Sequence, residues 1–270
     1  MEENSNVDQA NSTWTGMVPV DDTALAVTDT GGPGIPVVYL NGSYADQSHW
    51  RKVIADLGPG WRHITYDERA RGRSKKSADY SFEACIRDVD AVLKARGVDR
   101  PILVGWSYGA YLAVHWASRH PVRTLGAVSV DGAYPYDWID DAARERIRKL
   151  FRRLSWMFPI GSRLGLAARF SAEVHADVNI EINEISGALG PVLDNVTVRV
   201  LYVVGSGAHL GAGTEEMERV RAALDPVLAR NPNIRVSATV TSNHSQILRK
   251  DFNAVAEAVR EVAAVGSGGR

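Results

Sequence analysis

Cysteine is almost absent from this chain: Cys85 is the single one in 270 residues. No internal disulfide can form, so the fold does not depend on an oxidising compartment. Charge of one sign is not in excess either. Thirty-one Lys and Arg against 32 Asp and Glu leave a formal net charge of −1. That excludes the global basic field by which nucleic acid is gathered, and no nucleic-acid partner is expected. Long apolar runs are missing too. No stretch approaches the ~18–20 residues of a membrane span. The opening MEENSNVDQANST is polar and acidic, unlike the basic start and apolar run of a secretory leader. A cytoplasmic, soluble protein is therefore expected. No His and Cys spacing of the zinc type occurs, and no metal or cofactor is expected.

What is present is ordinary globular material, 45% hydrophobic and 23% charged, sufficient for a sizeable core in one domain or one domain with an insertion. Short apolar runs alternate with helix-length segments. Residues 35–40, 61–66, 102–106, 125–131, 198–205 and 234–240 read as strands. Helices are expected over 48–57, 82–96, 108–120, about 215–230, and 246–263, with a leading hairpin at 17–29. This rhythm predicts an α/β fold with a mostly parallel sheet flanked by helices. Residues 134–192 interrupt it with helical, bulky apolar sequence and no convincing strand. The division expected is a core of 14–133 and 193–264, with 134–192 as a helical cap insertion. The basic stretch RERIRKLFRR at 144–153 is read as a solvated outer face, with Ile147, Leu150, Phe151 and Leu154 turned inward. No stable membrane association is expected from it, and a homodimer is left open.

The segment ILVGWSYGAYLAVHWA, residues 102–117, carries the chemistry. A buried strand runs into Ser107, set between Gly105 and Gly109, and restarts as a helix. The pattern G-x-S-x-G at a strand-to-helix turn projects the serine hydroxyl above the sheet, with the next amide aimed at the same place. A capping serine is the structural alternative. Serine at its ordinary pKa is a weak nucleophile and needs a base. Of seven histidines, His244 stands in the loop TSNHSQ after the last expected strand, at the C-terminal edge where open α/β sheets place their sites. His115 and His120 belong to the helix after Ser107, His49 and His63 to early elements, and His175 to the insertion. The run GSGAHLG at 205–211 imitates a dinucleotide fingerprint but has Leu210 at the third glycine and comes too late in the chain. Cys85 sits among apolar neighbours at helical spacing and reads as core.

On GWSYG at 105–109, YLNGSY at 39–44, DERARGRS at 67–74 and SNHS at 242–245, the chain resembles the α/β-hydrolase superfamily over roughly residues 17–262. Asn41-Gly42 stands where members often have His-Gly, and Ala70 replaces one glycine of a common motif. The resemblance implies an eight-stranded sheet, a helical cap and a Ser–acid–His triad. The acid often follows the strand that here reads VRVLYVV, but no carboxylate appears there until Glu215. The superfamily's other location follows the preceding strand and holds Asp131, a placement similar to that in haloalkane dehalogenases and zearalenone lactonases. The expected catalytic set is Ser107, His244 and Asp131, with Glu215 as the competing acid. Backbone amides of Ser43 and Tyr108 would form the oxyanion hole. Tyr44, Trp106, Trp138, Trp156 and Phe158 are expected to line an apolar substrate cavity. The activity expected is hydrolysis of a small apolar carboxylic ester or lactone through an acyl-enzyme. Serine argues against dehalogenation and epoxide hydrolysis, whose members use aspartate. A carbon–carbon bond hydrolase, a thioester hydrolase, a slow-turnover ligand-binding homologue and a membrane-associated lipase remain as alternatives.

Overall fold

The computed structural model describes residues 12–163, 167–207 and 214–267. Its order begins β1 (Trp14–Val20), β2 (Thr23–Asp29), β3 (Ile35–Leu40), α1 (Arg51–Leu57), β4 (Trp61–Tyr66), α2 (Phe82–Arg96), β5 (Ile102–Trp106), α3 (Tyr108–Arg119) and β6 (Gly126–Val130). It continues with α4 (Asp141–Arg153), α5 (Phe158–Arg163), α6 (Ala172–Gly187), α7 (Leu189–Asp194), β7 (Arg199–Gly205), α8 (Thr214–Ala222), α9 (Asp225–Arg230), β8 (Ile234–Val240), α10 (Ile247–Lys250) and α11 (Phe252–Ser267). The eight strands form one sheet in the order β1-β2-β4-β3-β5-β6-β7-β8. From β4 through β8 every neighbouring pair is parallel, and β2 alone runs against its neighbours.

Successive strand residues point to opposite faces, and in β5, β6 and β7 both faces are covered, which is why these strands read as unbroken apolar runs. Leu103 joins the core under α2 and α3, together with Val38, Val200 and Tyr202. Ile102 and Val104 join the other core with Val37, Val128, Leu201 and the apolar stripe Val255, Val259, Val262 of α11. Capping follows the sequence. Ser81 accepts from the Ala84 amide at the start of α2, and Gly97, at φ 60°, ends that helix in the left-handed conformation glycine tolerates best.

Three expectations need adjustment. The helix expected over 215–230 is two, because Pro226 has no amide to donate and restarts the chain as α9. The closing helix of 246–263 splits at Asp251 into α10 and α11. Leu150, expected inward, is 53% exposed. On α4 it is Ile147 and Phe151 that are buried, packed with Ala176 and Ile180 of α6. The region between β6 and β7 is helical as expected, with no strand among its described residues. Among the described residues no helix is long and apolar enough to cross a membrane.

Candidate active site

Ser107 lies between the last residue of β5 and the first of α3, with φ 55° and ψ −115°. A non-glycine side chain held at positive φ is strained, and such strain persists where the surroundings over-determine it. The surroundings here are backbone. A Cβ at Gly105 would lie 2.0 Å from the Gly109 carbonyl oxygen, and one at Gly109 would lie 2.1 Å from that of Leu40. Only glycine at both positions lets the turn close against β3. The Ser107 amide donates to the Val130 carbonyl at 3.0 Å, which fixes the turn to the end of β6. The Ser107 hydroxyl makes no capping bond to α3.

The next strand ends in a second residue with unusual backbone. Asp131 has φ 43°, and its amide donates to Val203 on β7 at 2.9 Å. Its buried carboxylate is fully occupied. Oδ1 accepts from the Gly205 amide at 3.2 Å and the Tyr134 hydroxyl at 3.0 Å. Oδ2 lies 2.9 Å from His244 Nδ1. Burial pushes the Asp131 carboxyl up, but the bond and charge of His244 together with the Gly205 and Tyr134 donors outweigh it and hold it below the usual range. His244 is further fixed by Trp106, whose indole N–H donates to the His244 carbonyl at 3.2 Å and whose ring lies 5.4 Å from the imidazole. Ser107, Asp131 and His244 thus stand at the C-terminal ends of β5 and β6 and in the loop after β8. Glu215 sits exposed on the first turn of α8. Part of the preceding loop, 208–213, lies outside the described residues, as does most of the glycine-rich run at 205–211.

The loop after β3 approaches the same turn. A Cβ at Gly42 would meet the Trp106 ring at 3.1 Å and Ser107 Cβ at 3.3 Å, so the loop that carries Ser43 passes close to the serine. Tyr108 opens α3, where the first amides of a helix have no partner within it. Asn41 was expected to brace this loop by side-chain hydrogen bonds, but sequence reasoning gave no role to its partners Glu68 and Trp50 or to Arg71. Glu68 accepts from the Asn41 amide at 2.8 Å and from its side-chain nitrogen at 2.9 Å. Trp50 donates to Asn41 Oδ1 at 2.7 Å, and Arg71 donates to the Ser43 carbonyl at 2.8 Å. Glu68 and Arg71 were in view, within DERARGRS, but nothing local says that Glu68 is buried or that it reaches a loop 27 positions upstream.

Burial pushes Glu68 to about 7, against the lowering effects of Arg71 and Asn41. A carboxyl raised in the folded state binds its proton more tightly there than in the unfolded chain. Its contribution to stability is complete below the unfolded value of 4.5 and lost as pH rises through about 7. Glu68→Gln, which keeps an acceptor and cannot ionise, should gain stability relative to the parent as pH rises from 5 to 8, by about 1–3 kcal/mol. Paired urea titrations at several pH values measure this. A constant difference across that range would show that Glu68 does not titrate there.

The expected cavity residues divide. Tyr44, Trp156 and Phe158 line one apolar groove of about 470 Å³ with Phe151, Leu154, Met157, Ile160, Gly161 and Ala167. Trp106 lines a different, polar recess of about 520 Å³ with Ser48, His49, Arg51, Lys52, Ser245, Gln246, Leu248 and Arg249. Trp138 belongs to neither lining. It lies at the surface and donates to Asn183 at 2.8 Å, because the chain at 135–140 runs over α6 before α4 begins. His175 was missed. Buried on α6, it stacks on Phe158 at 4.1 Å and Tyr44 at 6.0 Å, and burial pushes its imidazole down to about 4. Cys85 is buried on α2 with its thiol pushed up to about 12 by burial. Among the described residues no group of three His, Cys, Asp or Glu could hold a metal ion.

A family model described as the alpha/beta hydrolase fold matches residues 35–157. A haloalkane dehalogenase of Mesorhizobium japonicum is 32% identical over 139 residues, which are 51% of this chain and 45% of that protein. The chain spans less than half the length of several curated relatives it matches. Among solved structures, a thermophilic esterase from Thermogutta terrifontis superposes with a TM-score of 0.70 at 20% identity, over 94% of this chain and 99% of that one. The enol-lactonase from Burkholderia xenovorans LB400 gives 0.69 at 19% identity, over 92% and 100%. At these identities the two structures speak for the fold.

Proposed function

Because the chain has the α/β-hydrolase fold and belongs to that superfamily, we propose that it is a serine hydrolase cleaving a carboxylic ester or lactone through an acyl-enzyme. The observation that carries the reading is the 2.9 Å contact between His244 Nδ1 and the buried Asp131 carboxylate, in the same cluster of strand ends as the strained Ser107. With Nδ1–H donated to Asp131, Nε2 is left as the base. It takes the proton from Ser107 Oγ as that oxygen attacks the substrate carbonyl. The amides of Ser43 and Tyr108 receive the negative charge of the tetrahedral intermediate. On collapse the carbon–oxygen bond breaks and His244 protonates the leaving alkoxide. Water, deprotonated by the same imidazole, then hydrolyses the acyl-serine and restores the hydroxyl. In a lactone the two products stay joined as one hydroxy acid.

The helical segment 134–192 serves as a cap over the core of 14–133 and 193–264, and its groove receives the apolar part of the substrate. Tyr44 supports this, since it lines the groove and is the neighbour of Ser43. Trp156→Ala and Phe158→Ala should each shift the kcat/KM ratio between bulky and small esters by about 1–3 kcal/mol. Melting curves accompany the assay. Loss of folding with no change in selectivity would make these two residues simple core. The reading as a whole is tested by rates on a panel of aryl esters, lactones, acyl thioesters and a β-diketone. Turnover confined to the diketone or thioester would replace it.

A further inference from the structure

We propose that the face formed by α4, α5 and the turn between them is a site for reversible adsorption to an anionic lipid surface, from which the apolar groove takes its substrate. The inference rests on the proposed function only for the fate of the groove's occupant. The adsorption itself is independent of it.

The first observation is apolar. Leu150, Trp156, Met157 and Ile160 are 53%, 67%, 46% and 53% exposed, within eleven residues of one another. Three of the four line the groove that ends at Tyr44. Large exposed side chains clustered in this way mark an interaction surface.

The second observation is charge. Between 144 and 163 the chain carries seven Arg and Lys against a single carboxylate, Glu145. The arginines on one stripe of α4 are spent within the fold. Arg144 pairs with Glu184 at 2.8 Å, Arg148 with Asp177 at 3.6 Å, and Arg152 with Glu145 at 3.0 Å. The remaining cations follow another stripe. Arg146, Lys149 and Arg153 stand at i−4, i−1 and i+3 from Leu150, so two of them are its neighbours one turn away on the helix surface. None of these three forms an ion pair with a described residue. Arg163 follows Ile160 by three residues, also outside any such pair. The cations left unneutralised are the ones beside the exposed apolar residues.

That arrangement selects among occupants. A second copy meeting this face across a two-fold axis would set Arg146, Lys149 and Arg153 near their own duplicates, which like-charge repulsion opposes. A neutral apolar partner leaves the cations unanswered. A bilayer with anionic headgroups answers both features, with negative charge at the level of the guanidinium and ammonium groups and acyl chains beneath for tryptophan, isoleucine and leucine. The sequence expectation of no stable association assumed Leu150 inside, and Leu150 is outside. The chain's net charge of −1 does not oppose the reading, because headgroup attraction is local and decays within a Debye length.

The test is sedimentation of the full chain with vesicles of phosphatidylcholine alone or with about one-third phosphatidylglycerol, at low and high salt. Partition onto the anionic vesicles should exceed that onto neutral ones by about tenfold or more, and fall by a similar factor at roughly 0.5 M salt. Lys149→Glu with Arg153→Glu should lower it by about 10–100-fold. Leu150→Ser should lower it without any change of charge. Lys94→Glu with Arg100→Glu, an equal charge reversal at the opposite end of the sheet, should leave it in place. Circular dichroism establishes that each variant is folded. No binding, equal binding to both vesicle types, or equal loss in the two charge-reversed variants would overturn the proposal. So would a dimer in velocity sedimentation that dissociates on Trp156→Ala, since the face would then belong to a second copy. Adsorption without esterase activity would overturn the proposed reaction and leave the surface standing.

Discussion

Ser107→Ala is expected to lower kcat by about 10³–10⁶-fold while the protein melts close to the parent temperature. The size of the loss follows from removing the covalent step. Without an oxygen to acylate, only substrate binding and the two amides proposed for the oxyanion hole remain, and water must attack directly. Folding should survive because the hydroxyl makes no capping bond to α3. The strained φ of 55° is a property of the backbone, and alanine bears it as poorly as serine. The check is kcat on the best ester of the panel, together with intact-mass labelling by a fluorophosphonate, which should add one adduct to the parent and none to the variant. Retained turnover or retained labelling in Ser107→Ala would remove this residue from the reaction.

Asp131→Asn is expected to cost at least ~10² in kcat. The change keeps the shape of the side chain but ends the acceptance of the His244 Nδ1 proton by a charged oxygen at 2.9 Å. An amide in that place can present its nitrogen to the ring, which favours the tautomer with its proton on Nε2, where the base is needed. A positive imidazole, formed in each proton transfer, would also lose its negative neighbour. Glu215→Gln assayed alongside should behave as the parent. Near-normal turnover in the first variant with collapse in the second would transfer the acid role to α8.

The α/β alternation was legible because parallel strands buried on both faces leave continuous apolar runs, and IPVVYL, ILVGW and RVLYVVG bound themselves. Ser107 was legible for a related reason. A strand that ends in G-x-S-x-G spends two glycines on close backbone contact, and glycines in such a place have few other uses. Asp131 came from an absence after β7 rather than from its own surroundings. The aromatics were less legible. Nothing in DWIDD distinguishes Trp138, on the outer surface, from Trp156 in the groove, because the path of 135–140 over α6 is a tertiary matter. The direction of Leu150 failed on the same ground. A helix with apolar residues at 147, 150, 151 and 154 has an apolar face wider than α6 and Phe158 cover. Glu68 was illegible because a charged residue in a polar run gives no local sign of burial.

Ser107 and Asp131 follow directly on core strands, whereas His244 stands in the loop after β8. The Ser107 amide is tied to the end of β6 and the Asp131 amide to β7. Each of those strands is buried on both faces. No local opening can therefore displace the serine or the aspartate without breaking ladder bonds in the middle of the sheet, the part of a protein that opens last. The placement of these two residues is accordingly an all-or-none property of the sheet. Heat or denaturant should displace them along the same curve that reports global unfolding.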